Sequence, residues 1–414
     1  MLIFLFKDLF FWIMEKNIKC FFILFNECLF FSYFFIYLFF LNFNMDDDSN
    51  DEIIIPDEEG FKPNEREKWF KESEYIKQVE IDNEGTYIYP SEISNNINER
   101  IITLSFKAAI EINSDVFYNK TVLDIHSGIG VNSLLAAKAG AKIVYSIEPN
   151  KTLAKYAREI IKDNFYDNII QVFSDDIYNF YLPNNSKVDI IICNWMGFFL
   201  LQSSLIKKVI YARDNFLIEK NGIILPDKAT LYISALEDQK FKEEKFSLWN
   251  NVYGVNMECI KNISYASPLI DSFNKDSIIS TICPIYNIDL YTITEKDLNF
   301  SNEYELIFIK NDYMSGLASW FDVEFFNVPN QIKFTTSPYN QLTKWKHTIF
   351  YKNDDVNVQK GDVLKGSFCC LVDEKTNEEM SSLNIKISFH FNRKENNNED
   401  NDSSNGIQLY KISS

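Results

Sequence analysis

Along the chain the spacing of hydrophobic positions changes character once decisively, and that change predicts where one architecture gives way to another. Short apolar runs over residues 121–125, 143–147, 169–173, 188–193 and 222–225 alternate with helix-spaced segments that start at Val131 and Leu153 and fill residues 200–216. Such alternation is the pattern of parallel strands covered by helices on both faces, so residues 84–226 are expected to form a doubly wound α/β domain. After Asp227 the runs become β-rich and are punctuated by turn residues. Those over residues 229–236, 285–291, 304–310, 319–325, 347–351, 363–372 and 384–391 predict a second, all-β domain over residues 227–414, built as a sandwich or barrel.

The two ends of the chain read differently from this body. Residues 20–43 form an apolar run interrupted only by Glu27 and preceded by Lys16 and Lys19, long enough to span a bilayer. Two readings stand: a membrane anchor, or an upstream extension of the gene model over residues 1–44, because Met45 directly precedes the soluble-type start Asp46-Asp47-Asp48-Ser49. Residues 45–83 are an acidic tail with a helix expected around residues 65–79, where Trp69, Phe70 and Tyr75 supply apolar contacts. Residues 394–405, rich in Asn, Asp and Glu, are expected to be a solvated loop within the last hairpin.

Composition narrows the function classes. A chain of 414 residues with 46% hydrophobic and 24% charged residues can bury two ordinary cores. The 59 acidic against 41 basic residues leave a net charge of -18, which argues against a surface that tracks nucleic-acid phosphates. It suits a basic, arginine-rich protein partner, or simply solubility. Seven cysteines without a CxxC pair, and His126, His347 and His390 far apart in sequence, indicate neither a disulfide framework nor a metal site. A reducing compartment, cytoplasm or nucleus, is expected unless residues 1–44 anchor the chain.

The chemistry concentrates where the first strand ends. In Val122-Leu123-Asp124-Ile125-His126-Ser127-Gly128-Ile129-Gly130 a strand feeds a glycine-containing turn that opens a helix. Small residues at Gly128 and Gly130 let the backbone approach a nucleotide-like cofactor. Glu148 ends the next strand, where a carboxylate can accept hydrogen bonds from both hydroxyls of a ribose. His126 takes the place of the turn's first glycine; its side chain is expected to point toward the cofactor or to force the turn open. It reads either as a new proton-transfer group or as a glycine that became dispensable.

The segment Asn194-Trp195-Met196-Gly197-Phe198, with Ala136-Ala137-Lys138-Ala139-Gly140-Ala141, Ala212-Arg213-Asp214, Leu225-Pro226-Asp227 and Thr343-Lys344-Trp345-Lys346, resembles the type I protein arginine N-methyltransferase family from about Tyr87 to the last strand. That resemblance implies a Rossmann-like S-adenosyl-L-methionine-dependent methyltransferase domain followed by a β-barrel. It also implies an inserted helical dimerisation arm at about residues 236–269, carrying Trp249, Tyr253 and Met257. The family places one glutamate just before the Trp-Met-Gly and another nine residues later; here these positions are Asn194 and Ser203. Two carboxylates there hold a guanidinium by charge-assisted hydrogen bonds and aim one nitrogen at the methyl group. Lys344 stands at the family's histidine, a cation where a cation should enter. Tyr178 aligns with an acid on the adenine side, with Asp175 and Asp176 nearby, and Ile102 aligns with an arginine of the cofactor-covering helix, Arg100 lying two residues away.

The resemblance therefore implies a catalytically impaired member, with Asn194, Ser203, Trp195 and Met196 marking the altered catalytic loop. Such a chain would serve as a regulatory or scaffolding partner, in a homodimer or in a heterodimer with an active paralogue. An active arginine methyltransferase with relocated acids, from Asp175, Asp176 or a partner subunit, and a module that senses S-adenosylmethionine through Gly128, Gly130 and Glu148 are the alternatives.

Overall fold

The computed structural model of the protein describes residues 99–183, 186–373, 381–393 and 405–413. The apolar run, the acidic tail with its expected helix, Tyr87 and nearly all of the insert at residues 394–405 lie outside the described residues.

The described chain opens with helix α1 (Arg100–Glu111), whose buried Ile102, Phe106, Ala109 and Ile110 recur at helical spacing and face inward. A short helix, α2 (Ser114–Phe117), leads into β1 (Thr121–Ile125), α3 (Val131–Lys138), β2 (Ile143–Ile147), α4 (Lys151–Asp163), β3 (Ile170–Phe173), β4 (Ile190–Cys193), α5 (Leu205–Phe216) and β5 (Ile223–Leu225). The strands form a parallel sheet in the order β3-β2-β1-β4-β5. Strand β4 is buried at every position, as a central strand covered on both faces must be. The Asn150 side chain starts α4 by accepting from the backbone N–H groups of Thr152 and Leu153, both at 3.0 Å. The order reverses beside β1, so the crevice above the C-terminal ends of β1 and β4 is the switch point where such sheets bind ligands.

The second half is antiparallel. Strand β6 (Lys228–Leu236) is followed by α6 (Gln239–Ser247), a 3-10 turn (Leu248–Asn250), α7 (Glu258–Tyr265) and β7 (Leu269–Asp271). Then come β8 (Cys283–Asp289), β9 (Phe300–Ile307), β10 (Asp312–Phe325), β11 (Ile332–Thr335), β12 (His347–Val358), β13 (Val363–Val372), β14 (Leu383–Asn392) and β15 (Gly406–Ile412). One sheet runs β7-β12-β10-β6-β8 with β11 added beside β10, and a second runs β15-β14-β13-β9. Together they make the barrel-like half, and the helical insertion α6–α7 occupies the stretch expected for the arm. Residues 200–204, expected to begin a helix, are instead a loop: Phe199 and Leu200 have φ of 48° and 61°, outside the helical region.

The two halves share one continuous buried cluster. Phe106 of α1 meets Phe325 of β10 edge-on at 5.0 Å, and Asn113 donates its side-chain N–H to the Asn330 carbonyl at 3.0 Å while accepting from the Asn330 backbone N–H at 2.9 Å. Arg213 of α5 donates to the carbonyls of Leu290 and Ile293, both at 2.7 Å. Helices of the α/β half are thus bolted onto the barrel, which brings barrel loops over the switch-point crevice.

Candidate functional site

The turn after β1 keeps its shape in spite of His126. Gly128 and Gly130 are left-handed at φ 58° and 84°, and His126 joins them at 56°, a region that costs a residue with a Cβ roughly 1–2 kcal/mol. The Gly130 N–H donates to the Ser127 carbonyl at 2.9 Å and the Ser127 N–H to the Ile147 carbonyl at 3.1 Å, so the turn is closed and tied to β2. The expectation that His126 forces the turn open is therefore corrected: the backbone absorbs the strain and the imidazole lines the crevice.

That crevice is a cavity of about 390 Å³, within the range of small-ligand sites. His126, Gly128, Glu148, Asn194, Met196 and Lys344 all contribute to its wall, with Ile102, Thr103 and Phe106 of α1 along one side. Glu148 is buried, and its two carboxylate oxygens accept from the backbone N–H groups of Gly128 at 2.7 Å and Asn150 at 2.9 Å. Each oxygen retains a further lone pair for a hydroxyl in the cavity. A Cβ built on Gly128 meets nothing within 4 Å, so this glycine leaves free space beside Glu148.

Asp124 lies beneath the turn and outside the cavity wall. It accepts from the Ser133 hydroxyl at 2.6 Å, and burial pushes its carboxyl up to about 7, with the Ser133 bond pulling downward and the charge of Glu148 pushing upward. The same burial raises the thiol of Cys193 next to it. Asp124 thus supports the turn from below; it does not offer a carboxylate to a ligand.

The loop after β4 carries the opposite end of the cavity. Asn194 lines it, and its amide oxygen is buried without a hydrogen-bond partner among the described residues. Trp195, expected at the catalytic loop, is wholly buried and donates its indole N–H to the Pro226 carbonyl at 3.2 Å, so it is core. Gly197 folds against the far side of the loop so closely that a Cβ would lie 2.4 Å from the Ser203 nitrogen. Ser203 is correspondingly turned away from the cavity: its Oγ accepts from the Leu205 N–H at 3.3 Å at the start of α5. Phe199 clamps this loop to the barrel, 5.4 Å from Phe350 and stacked 5.8 Å from Phe368.

The remaining expected positions separate. Tyr178 is outside the cavity wall, edge-on against Tyr211 at 4.8 Å. Asp176 is held by Lys208 at 2.6 Å, and Asp175 accepts from the Asp176 N–H and the Asn179 side chain, so neither acid reaches Asn194. Ile102 lines the cavity whereas Arg100, two residues away, does not. Lys344 does line it. Protein crowded around its ammonium lowers its pKa while Glu99 acts in the other direction, and its backbone N–H donates to Glu99 Oε2 at 3.0 Å. The pairing of Glu99 with Lys344 joins residues 245 positions apart and left no mark in the sequence pattern.

Comparison with known proteins places this arrangement. A family model described as the arginine methyltransferase oligomerization subdomain matches residues 227–395, and one described as ribosomal protein L11 methyltransferase (PrmA) matches residues 108–248. Protein arginine N-methyltransferase 1 of Chlamydomonas reinhardtii is 41% identical over 295 residues, covering 71% of this chain and 84% of that protein. The protein of the same name from Dictyostelium discoideum is 37% identical over 295 residues, covering 71% and 85%. The chain belongs to the protein arginine N-methyltransferase family. A solved structure of the Trypanosoma brucei PRMT1 enzyme-prozyme heterotetrameric complex with AdoHcy matches with TM-score 0.72 and 28% identity, covering 78% of this chain and 99% of that one. Protein arginine methyltransferase 10 of Arabidopsis thaliana matches in fold at TM-score 0.69 and 24% identity, covering 78% and 98%.

S-adenosylmethionine is the methyl donor of this family, and the cavity fits it unequally along its length. At the Glu148 end a carboxylate and the open space beside Gly128 suit a ribose. The same wall includes Asn194, an amide, and Lys344, a cationic residue, and the carboxylate among its lining residues is that of Glu148.

Proposed function

We propose that this family member is a regulatory or scaffolding subunit that associates with an active paralogue and does not itself methylate arginine. The observation that carries the reading is the acceptor end of the cavity, where Asn194 and Lys344 form the wall and Ser203 is turned onto α5. S-adenosylmethionine, when bound, supplies an electrophilic methyl group on a sulfonium. Attack by a guanidinium nitrogen then requires that the cation be neutralised, oriented and relieved of a proton. Asn194 can accept one hydrogen bond but brings no charge, Ser203 Oγ is engaged at the helix start, and Lys344 repels a second cation. Removing one preorganised electrostatic contact costs about 10²–10³ in rate, and here neither carboxylate position holds an acid.

Association is supported by the arm. Leu248 and Ile263 are 58% and 71% exposed and Tyr253 is wholly exposed, on a helical insertion whose inner residues Phe246 and Tyr265 pack at 4.2 Å. Trp249 and Met257 are half-buried; the former packs against the arm's own small core, so its contribution to an interface is indirect. An apolar face of this kind needs a covering surface. The Trypanosoma brucei neighbour is described as an enzyme-prozyme complex, a precedent in the family for pairing unlike subunits.

The test mixes the purified chain with an active family member from the same cell and follows both sedimentation and methyl transfer. A mixed oligomer whose rate on arginine-rich peptides differs from that of the paralogue alone is expected, with both effects lost in a Leu248→Asp, Ile263→Asp double variant. Separate sedimentation with an unchanged rate would overturn the reading.

A further inference from the structure

The loop that carries Asn194 and Met196 into the cavity wall and returns to it at Leu205 is held from behind by the barrel. At its tip Phe199 and Leu200 are left-handed in succession, with φ of 48° and 61°. Residues with a Cβ keep such a conformation only where their surroundings enforce it. Phe199 is gripped by the barrel rings, and Gln202 supplies a second hold. Gln202 is buried; its carbonyl accepts from the Ser381 N–H just before β14, and its side-chain Nε2 donates to the Ser413 carbonyl just past β15, both at 2.6 Å. Its Oε1 is buried with no hydrogen-bond partner among the described residues. An orphaned oxygen is costly, so the Nε2 bond is what the side chain gains by lying there.

The stretch that Gln202 grips is fixed on its other side to the arm. Lys411, two residues before Ser413, donates its backbone N–H at 2.8 Å to the carbonyl of Ala266, the residue that caps α7. That N–H is therefore turned away from the ladder that joins β15 to β14. Beside it, the Tyr410 hydroxyl donates to the Tyr351 carbonyl at 3.0 Å, and Tyr351 meets Phe246 of the arm edge-on at 5.7 Å. Residues 410–413 thus touch the root of the arm at one end and the loop beside the crevice at the other.

We propose that this stretch is a tie that couples the association arm to the loop beside the crevice, with Gln202 as the catch on the loop side. A partner seated on the arm steadies α7 and, through Ala266 and the tie, the loop; slackening of α7 lets the loop leave its left-handed turn. The proposal rests on the association reading for what loads the arm, but the tie itself is a property of the single chain. Coupling between two sites is reciprocal, so a cut on either side is felt on the other.

Amide hydrogen exchange of the full chain, read by mass spectrometry over residues 197–204 and 260–268, tests this without a paralogue, a cofactor or methyl transfer. Lys411→Pro removes the N–H that reaches Ala266 and no ladder bond, and should raise exchange over residues 197–204 about tenfold. Gln202→Met keeps the length of the side chain and loses the donor; it should raise exchange over residues 260–268 by a similar factor, besides loosening its own loop. Removing residues 413 and 414, which leaves β15 whole, should repeat the Gln202→Met result and carries the test if either substitution unfolds the chain. Ser413→Ala keeps the carbonyl and should leave both segments within about twofold of the natural chain, and exchange over β1 and β4 within about twofold shows that a variant is folded. Faster exchange confined to the side that was cut, or no change in either segment, would overturn the proposal. Failure to find a paralogue complex, by contrast, bears on the association reading and leaves this coupling untouched.

Discussion

At the scale of single residues the site is shaped by side chains placed where the backbone or the dielectric resists them. His126 is held left-handed by a closed turn, and a β-branched side chain tolerates that conformation least. His126→Val is expected to lower stability by about 1–2 kcal/mol in urea titrations, whereas His126→Gly should change it by less than about 1 kcal/mol, because relief of strain is offset by the entropy of a freer unfolded chain. An equally large loss with glycine would show that the imidazole, and not the backbone, matters there.

Asp124 makes a prediction about pH. Burial raises its folded carboxyl to about 7, well above the ordinary unfolded value near ~3.9. The folded state therefore binds more protons than the unfolded state between these limits. The favourable contribution of protonated Asp124 is complete below the unfolded pKa and is lost as pH rises toward 7. Asp227, raised by burial to about 6, acts in the same direction. Melting temperatures measured from pH 4 to pH 8 should show Asp124→Asn gaining on the natural chain as pH rises; a constant difference across that window would contradict the assignment. The identity of such residues was legible in the sequence, but their state was not. Asn194, Ser203 and Lys344 stood out by position, yet only the fold shows that Ser203 turns onto α5 and that Lys344 enters the cavity wall.

At the scale of elements, legibility followed the continuity of the apolar signal. Strands β1 and β2 coincide with their apolar runs because a buried strand carries its pattern from end to end, and β13 coincides with its run although only Leu364, Phe368 and Cys370 of it are buried. Strands β10 and β12 extend well past theirs. Their added lengths include the irregularity between Met314 and Gly316 and the polar stretch through Asn353, Asp354 and Asp355, which pairing holds in place without an apolar signal. The arm was placed by resemblance, and the structure adds how it is rooted. Lys242 of α6, nearly inaccessible, bonds Asp355 of β12 at 2.6 Å and lies 5.4 Å from the Tyr265 ring, while Asp238 accepts from the Tyr351 hydroxyl at 2.6 Å. Lys242→Ala leaves Asp355 without its partner in a mostly buried setting and is expected to cost about 3 kcal/mol, toward the low end for a broken buried pair because Asp355 keeps some contact with water. Urea denaturation checks this; a loss below about 0.5 kcal/mol would mean that the arm is held by its apolar contacts alone.

At the scale of the whole molecule, the two halves are one cooperative body. Their buried cluster is continuous, and Phe199 carries it from the loop after β4 into the barrel against Phe350 and Phe368. A single unfolding transition is expected for residues of both halves in calorimetry, with Phe199→Ala lowering it by about 3–5 kcal/mol without splitting it; two separable transitions would contradict this. The same continuity explains why a barrel residue, Lys344, takes part in the wall of a cavity built on the parallel sheet. The most direct measurement of the account is methyl transfer by the purified chain alone, with labelled S-adenosylmethionine and arginine-rich peptides. No incorporation above a heat-denatured control is expected. Incorporation that a competitor of the cofactor abolishes would show that arginine is methylated without carboxylates at positions 194 and 203, and would contradict the account.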